Sequence, residues 1–345
     1  IHPDNLVQVD EVLLDEFQYS RNFDPDNPGA LSSPHQLDPN LEAPRTWEIV
    51  GGIDHELLPA FAVGVAYTYR KFTGQLFRFP TGITRDDYFL AGTVDGTLPD
   101  SLGGGSYSEP FYEIDPDIVP PGYFWTNRTD YNTTYSGFDF ILTKRLSSRW
   151  MMRGSFSYNL NKQHLTGPGG CVDPTNTLPG QSADGGNPQT GYTVESCADD
   201  TYVATRSTGS GDKASVMLNS KWQFYMNALY QLPLNFAFAA AVWGRQGYPV
   251  VPFRRVAGDD GYVRDVVVRS ANDLRYDNVY ELDLRLEKLI PITSTANITV
   301  SADLFNVFND GTILQRFNRL NRSNTGNIKE IQGPRVLRFG ARISF

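Results

Sequence analysis

The strongest constraint on the fold is a strict period-two alternation of apolar and polar residues. In "NVYELDLRLEK", the apolar Tyr280, Leu282, Leu284 and Leu286 alternate with polar and charged residues. The ending "PRVLRFGARISF" keeps the same order, with apolar residues at Leu337, Phe339, Ala341, Ile343 and Phe345. A period of two belongs to a β-strand whose two faces meet different surroundings. The pattern predicts an all-β, antiparallel protein.

Comparable segments recur along the chain and predict about nine strands. They cover residues 47–55, 61–70, 135–145, 150–160, 218–230, 235–248, 278–288, 296–308 and 337–345. Most are about ten residues long, which is the length that a tilted transmembrane β-strand requires.

The connections between these segments alternate between short and long. The long ones cover residues 72–130, 161–216, 249–276 and 311–334, and each is separated from the next by a short turn. This alternation is typical of outer-membrane β-barrels, in which periplasmic turns are short and extracellular loops are long. A soluble β-sandwich or barrel with wet faces would show the same periodicity, so it is the alternative fold.

Aromatic residues near the strand ends favour the membrane interpretation. Trp47 and Trp150 are predicted to lie beside short turns, and Tyr158, Tyr248 and Phe308 near the opposite ends. Two such groups resemble the aromatic girdles of a membrane barrel.

Composition excludes other classes of protein. A net charge of -9 without a basic run disfavours binding to nucleic acid. The longest apolar run, "FAFAAAVW" from Phe236, is far shorter than the ~20 residues of a membrane helix. The start at Ile1 has no charged-then-apolar leader, so we expect no signal peptide within this sequence.

Several segments resemble TonB-dependent outer-membrane transporters, and most of all their Oar-like group. They are "ELDLRLEKLIPI", "ITVSADLFNVFND" and "GPRVLRFGARISF" near the end, with "APRTWEIVGGIDHEL" and "YQLPLNFAFAAAVWGRQGYPV" earlier. The resemblance runs from about residue 38 to the end. It implies a 22-stranded barrel filled by an N-terminal plug. We therefore expect residues 1–45 to be an extracellular loop region and residues 46–345 to be the C-terminal strands, with the plug outside this chain.

The resemblance also implies partners and roles for particular residues. The alternate row Leu337, Phe339, Ala341, Ile343 and Phe345 would be the signal read by the barrel-assembly machinery. Outer-membrane lipid would surround the barrel, and a TonB-type complex would supply the energy for importing a scarce large solute. No covalent chemistry is implied. The polar rows would line the lumen against the plug: Asp139, Arg153, Ser155, Ser157, Asp283, Arg285, Asp303, Arg338 and Arg342.

The two cysteines, Cys171 and Cys197, share one long connection, which favours a disulfide formed in an oxidising compartment. Free thiols and a metal pair are the alternatives, although no Cys-x-x-Cys or nearby His supports a metal.

The four histidines are scattered, and no motif of a hydrolase or phosphate-binding enzyme is present.

The long connections carry two further features with competing interpretations. Acidic stretches at 23–29, 112–121 and 257–265 could bind Ca²⁺, but none has EF-hand spacing and such loops are usually solvated. Loop aromatics could stack on sugars or form small cores within the connections, and no ligand-binding residue can be named. The aromatics are Phe77, Phe79, Tyr88, Phe89, Tyr107, Phe111, Tyr112, Tyr123, Phe124 and Trp125.

Two other functions compete with transport. A structural or adhesive outer-membrane protein would use the same barrel without moving a solute. A soluble secreted β protein that binds or cleaves glycans would need no membrane.

Overall fold

A computed structural model of the chain describes residues 35–118, 122–166, 173–175, 199–203, 205–206 and 217–345. Its main feature is one long antiparallel sheet in which each strand pairs with the next strand of the path. The nine strands of this path are β1 (Arg45–Leu58), β2 (Phe61–Thr73), β3 (Tyr131–Ser147), β4 (Trp150–Leu165), β5 (Trp222–Leu232), β6 (Phe236–Arg245), β7 (Val279–Pro291), β8 (Asn297–Phe305) and β9 (Val336–Ser344). The predicted all-β antiparallel sheet of about nine strands is confirmed.

Short and long connections alternate along this sheet. The short turns are residues 59–60, 148–149, 233–235 and 292–296, and the long connections are 74–130, 166–221, 246–278 and 306–335. Ser148 and Arg149 both have positive φ, at 51° and 69°, as a two-residue type I′ hairpin requires. Because every strand is antiparallel to its neighbour, all the short turns lie at one end of the sheet.

The sheet is open at both sides. β1 and β9 are the edge strands, and no described strand pairs with their outer sides. Every residue of β1 is exposed, on both faces. An unpaired edge leaves a row of backbone N–H and C=O groups available to another strand.

The long connections have their own secondary structure. Tyr123–Asn127 and Leu76–Pro80 form a small sheet with Gln36–Leu37, which precedes β1, and Thr201–Tyr202 adds to β4. The remaining pairs are Tyr88–Thr97 with Ser106–Ile114, Thr205–Arg206 with Met217–Leu218, Phe253–Ala257 with Val263–Val267, and Ile313–Arg316 with Ile328–Ile331. Arg85–Asp87 and Asp100–Leu102 are 3₁₀ turns. No helix in the described part of the chain is long and apolar enough to cross a membrane.

The buried apolar clusters lie in these connections. Val251, Phe253, Val267 and Ala271 form one cluster. A second joins Ile83 and Ile114, with Phe79, Tyr88, Ile118 and Tyr262 packed against them. Together they form small cores at the end of the sheet opposite the short turns.

Candidate membrane-facing surface and polar face

The pairing register places one row of every strand on a common surface, which we call the apolar face. Residues that pair directly across neighbouring strands lie on the same side of a sheet. The apolar face includes Trp47, Ile49, Ile53, Val63, Val65, Tyr67, Phe138, Phe140, Leu142, Trp150, Met152, Phe156, Tyr158, Trp222, Phe224, Met226, Tyr230, Phe236, Phe238, Val242, Tyr280, Leu282, Leu284, Leu286, Ile298, Val300, Leu304, Leu337, Phe339, Ala341 and Ile343.

This face is not covered by the rest of the described protein. Phe140 is 42% exposed, Leu286 44% and Phe339 74%. Contiguous exposed apolar patches on soluble monomers rarely exceed a few hundred Å², whereas this one crosses all nine strands. Such a surface is typical of a site that contacts a membrane or another protein.

Charged side chains of the apolar face are confined to its ends. Those within the nine strands are Arg45, Lys71, Lys144, Lys162 and Lys288, each within three residues of a strand end. Near the short turns, Lys144 Nζ lies 4.7 Å from the Trp150 ring and donates to the Arg145 carbonyl. Lys288 Nζ lies 4.0 Å from the Phe236 ring. Lysine side chains at the edge of an apolar band commonly lay their methylene groups along it and place their charge in the polar surroundings.

Aromatic rings mark both ends of the apolar face. Phe61, Trp150, Tyr230 and Phe236 lie near the short turns, and Trp47, Tyr158, Trp222 and Tyr280 near the long connections. Along β4, Trp150 and Tyr158 are separated by about 27 Å at the usual strand rise. A barrel tilt of about 40° reduces this to about 21 Å, close to the ~25 Å apolar band of an outer-membrane barrel.

The prediction for Trp47 was wrong. It lies near the long connections and not beside a short turn, because β1 runs from Arg45 towards the turn at residues 59–60. Trp150 does lie beside a short turn, at residues 148–149.

The opposite surface, which we call the polar face, carries all nine residues predicted to line a lumen. One ion-paired group on it centres on Asp303, a buried carboxylate. Asp303 accepts hydrogen bonds from Arg285 Nη1 and Arg338 Nε, both at 3.1 Å. Arg285 also donates to Glu287 at 2.7 Å. The group links three neighbouring strands, β7, β8 and β9.

The other predicted residues form smaller contacts on the same face. Ser157 Oγ donates to Asp139 Oδ1 at 2.5 Å, and Asp283 Oδ1 accepts the Asn306 amide at 2.9 Å. Arg153, Ser155 and Arg342 lie in the same rows, where Arg342 pairs with Thr299 across β8 and β9. The predicted assembly row, Leu337 to Ile343, lies on the opposite, apolar face.

Other candidate sites fall in the long connections. Cys171 and Cys197 lie outside the described residues, as does the acidic stretch 23–29. In the acidic stretch 257–265, Asp260 is hydrogen-bonded to Arg264, and Asp265 is hydrogen-bonded to Arg255. The described ranges contain no group of three or more potential metal ligands. Among the loop aromatics, Phe77 is buried, and Phe79 and Tyr88 pack in a small core.

No protein-family model matches the chain, and no curated protein matches it either. Solved structures that it resembles include the outer membrane transporter YddB from Escherichia coli, at 13% identity and a TM-score of 0.46 over 88% of this chain and 33% of that one. The FrpB iron transporter from Neisseria meningitidis is 11% identical with a TM-score of 0.44, over 90% of this chain and 32% of that one. The ferripyoverdine receptor of the outer membrane of Pseudomonas aeruginosa is 11% identical with a TM-score of 0.43, over 88% and 27%. The chain spans about a third or less of the length of these structures.

Sequence reasoning missed the polar groups that hold the long connections together. Arg264 is buried between Asp173 and Asp260, at 3.2 and 2.5 Å. Asn306 donates to the carbonyls of Asp310 and Gly333. Alternation carries no signal for such contacts, because they join irregular segments that are distant in sequence.

Proposed function

We propose that this chain forms the C-terminal strands of an outer-membrane β-barrel that imports a large solute with energy from a TonB-type complex. The observation that carries the proposal is the exposed apolar face, which spans all nine strands and has charges only at its two ends. In lipid this face would be covered without any protein partner, whereas in water it would be a large exposed patch.

The open edges of the sheet favour a larger barrel. In lipid, the unpaired backbone groups of β1 and β9 would have to be satisfied by other strands. We propose that further strands of the same protein pair with both edges, and that the assembled barrel encloses a plug behind the polar face. The long connections would then be extracellular and the short turns periplasmic.

The proposal of energy-coupled transport rests on the sequence resemblance to TonB-dependent transporters and their Oar-like group. The polar face offers Asp303, Arg285, Arg338 and Glu287 as ion-paired groups for an enclosed plug to contact. The described polar contacts suit non-covalent binding, and we assign no chemical reaction to the protein. The row Leu337 to Phe345 would direct insertion by the barrel-assembly machinery.

Two tryptophans on opposite faces test the membrane orientation. Trp222 lies on the apolar face and Trp243 on the polar face, both near the long connections. Single-tryptophan variants of the full-length protein would be reconstituted into vesicles containing lipids brominated along the acyl chains. We expect strong fluorescence quenching of Trp222 and weak quenching of Trp243. Equal quenching would contradict the assignment of faces.

A second experiment separates transport from a structural or adhesive role. The intact mass of the native polypeptide from detergent-solubilised membranes should lie well above the 38.6 kDa of this chain. Cells that lack the TonB-type complex should then lose the growth advantage that the protein gives on its solute. An adhesive barrel would insert equally well but would give growth that is independent of that complex.

A further inference from the structure

The ring of Tyr202 is surrounded by three cationic side chains. Lys221 Nζ lies 4.2 Å from the ring centroid, and Lys162 Nζ and Arg275 Cζ each lie 5.7 Å from it. These residues come from three different parts of the chain.

This group lies at the end of the apolar face next to the long connections. Tyr202 pairs with Lys162, and Lys162 belongs to the same row of β4 as Tyr158. Lys221 directly precedes Trp222, and Tyr158 and Trp222 pair across β4 and β5. Lys162 and Lys221 therefore lie on the side of the Tyr158 and Trp222 rings that is next to the long connections.

The positive charge of the group is only partly neutralised. Asp200 pairs with Lys162 at 2.8 Å. Arg275 is held by neutral acceptors, the carbonyls of Asn219 and Gly247. Neither Lys221 nor Arg275 forms an ion pair with any other described residue. Among the described residues the group therefore keeps a net positive charge, which favours an anion as its ligand.

The geometry points to a binding site for a phosphorylated lipid headgroup, formed by Lys221, Lys162 and Arg275 around Tyr202. In a membrane, an anionic headgroup lies at the depth where an apolar band gives way to polar surroundings. The Tyr202 ring would pack against the glycerol or sugar next to the phosphate. This inference rests on the proposed orientation of the apolar face and adds a specific lipid partner to it.

Native mass spectrometry of the full-length protein in neutral detergent tests the site with dipalmitoyl phosphatidic acid and dipalmitoyl phosphatidylcholine as probes. Each basic residue near an anionic headgroup contributes about fivefold in affinity. The double variant Lys162→Gln, Lys221→Gln should therefore bind phosphatidic acid about 25-fold more weakly than wild type. Binding of phosphatidylcholine should not change. The matched control is Lys329→Gln, which also removes a lysine beside an aromatic ring, Phe317, but in a hairpin of the long connections.

Replacement of both lysines by arginine should restore phosphatidic acid binding, which separates loss of charge from loss of fold. Equal binding by wild type and the double glutamine variant would overturn the site. Displacement of the lipid by an equal concentration of inorganic phosphate would show a free-anion site and overturn the lipid assignment. Failure of the proposed membrane orientation would appear separately, as equal quenching of Trp222 and Trp243 by brominated lipids.

Discussion

Arg264 and Asp173 are 91 residues apart in the chain and form a buried ion pair, with Arg264 Nε 3.2 Å from Asp173 Oδ2. The same guanidinium binds Asp260 through two hydrogen bonds. Next to this pair, Thr175 accepts a hydrogen bond from the Tyr112 amide. Arg264 thus ties residues 173–175 to the hairpins formed by Tyr88–Thr97 with Ser106–Ile114 and by Phe253–Ala257 with Val263–Val267.

Replacing Arg264 should loosen the long connections. Arg264→Met leaves Asp173 and Asp260 without their cation, and the loss of one member of a buried pair costs about 3–5 kcal/mol. We expect faster hydrogen exchange at the Tyr112 amide. The matched control is Arg255→Met, which breaks the more exposed pair with Asp265 and should cost about 1 kcal/mol or less. Equal exchange rates in the two variants would contradict a special role for Arg264.

Acidification should open the same region through Asp260. Burial alone would raise the pKa of Asp260, but hydrogen bonds from Arg264 and from the Tyr262 and Ile114 amides outweigh burial and lower it. A carboxyl whose pKa is lowered by folding stabilises the folded state above the unfolded pKa of about 3.9, and this stabilisation is lost as the pH falls below it. The pKa of Asp173 shifts in the opposite direction, because burial raises it in spite of the nearby Arg264.

The contribution of Asp260 can be isolated by comparing wild type with Asp260→Asn. Hydrogen exchange of the Ile114 amide, corrected for its intrinsic rate, should rise between pH 5 and about 3 in wild type and change less in the variant. A wild-type protection that stays constant over this range, or the same pH dependence in both proteins, would contradict the prediction.

Adjacent residues of β3 should differ in how much stability they lose to a new charge. Phe140 lies on the apolar face and Ile141 on the polar face, with similar exposures of 42% and 44%. In a bilayer, Phe140→Arg should reduce the free energy of unfolding by about 2 kcal/mol, and Ile141→Arg by less than about 1 kcal/mol. Denaturant titrations in lipid vesicles measure both. A larger loss for Ile141→Arg would mean that the faces are reversed.

Asp303 should be the most sensitive residue of the polar face. Asp303→Asn removes a buried charge that two arginines share, and hydrogen bonds to charged groups contribute about 1.5–3 kcal/mol. We expect a loss of about 2 kcal/mol in the same titrations. Arg153→Gln, on the same face, should change stability by no more than about 0.5 kcal/mol. Similar effects of both changes would show that the Asp303 group does not hold β7, β8 and β9 together.

The sequence was sufficient to predict the face on which each strand residue lies, because successive side chains alternate between the two faces of a strand. Asp303, Arg285 and Arg338 fall on one face as their alternation predicts. Strand ends were harder to predict. β3 begins at Tyr131 and not Tyr135, because its backbone continues to pair beyond the apolar band through polar residues that carry no alternating signal.

Contacts within the long connections could not be predicted from the sequence. The pairing of Arg264 with Asp173 depends on how separate irregular segments fold against one another. Nothing in the spacing of either residue indicates that arrangement. The cations around Tyr202 were missed for the same reason, since they belong to segments that are brought together only by the register of Thr201–Tyr202 on β4.

Gly244 should be intolerant of a side chain, because two aromatic rings close over it on the apolar face. A Cβ at Gly244 would lie 2.7 Å from ring atoms of both Phe224 and Tyr280. Gly244→Ala forces these rings apart, so we expect a loss of about 1–2 kcal/mol in denaturant titrations. The control is Gly51→Ala on the same face of β1, where no atom lies within 4 Å of the new Cβ. Since alanine suits a strand better than glycine by about 0.5–1 kcal/mol, that change should be neutral or stabilising. Equal losses at both glycines would show that the aromatic contact over Gly244 does not contribute to stability.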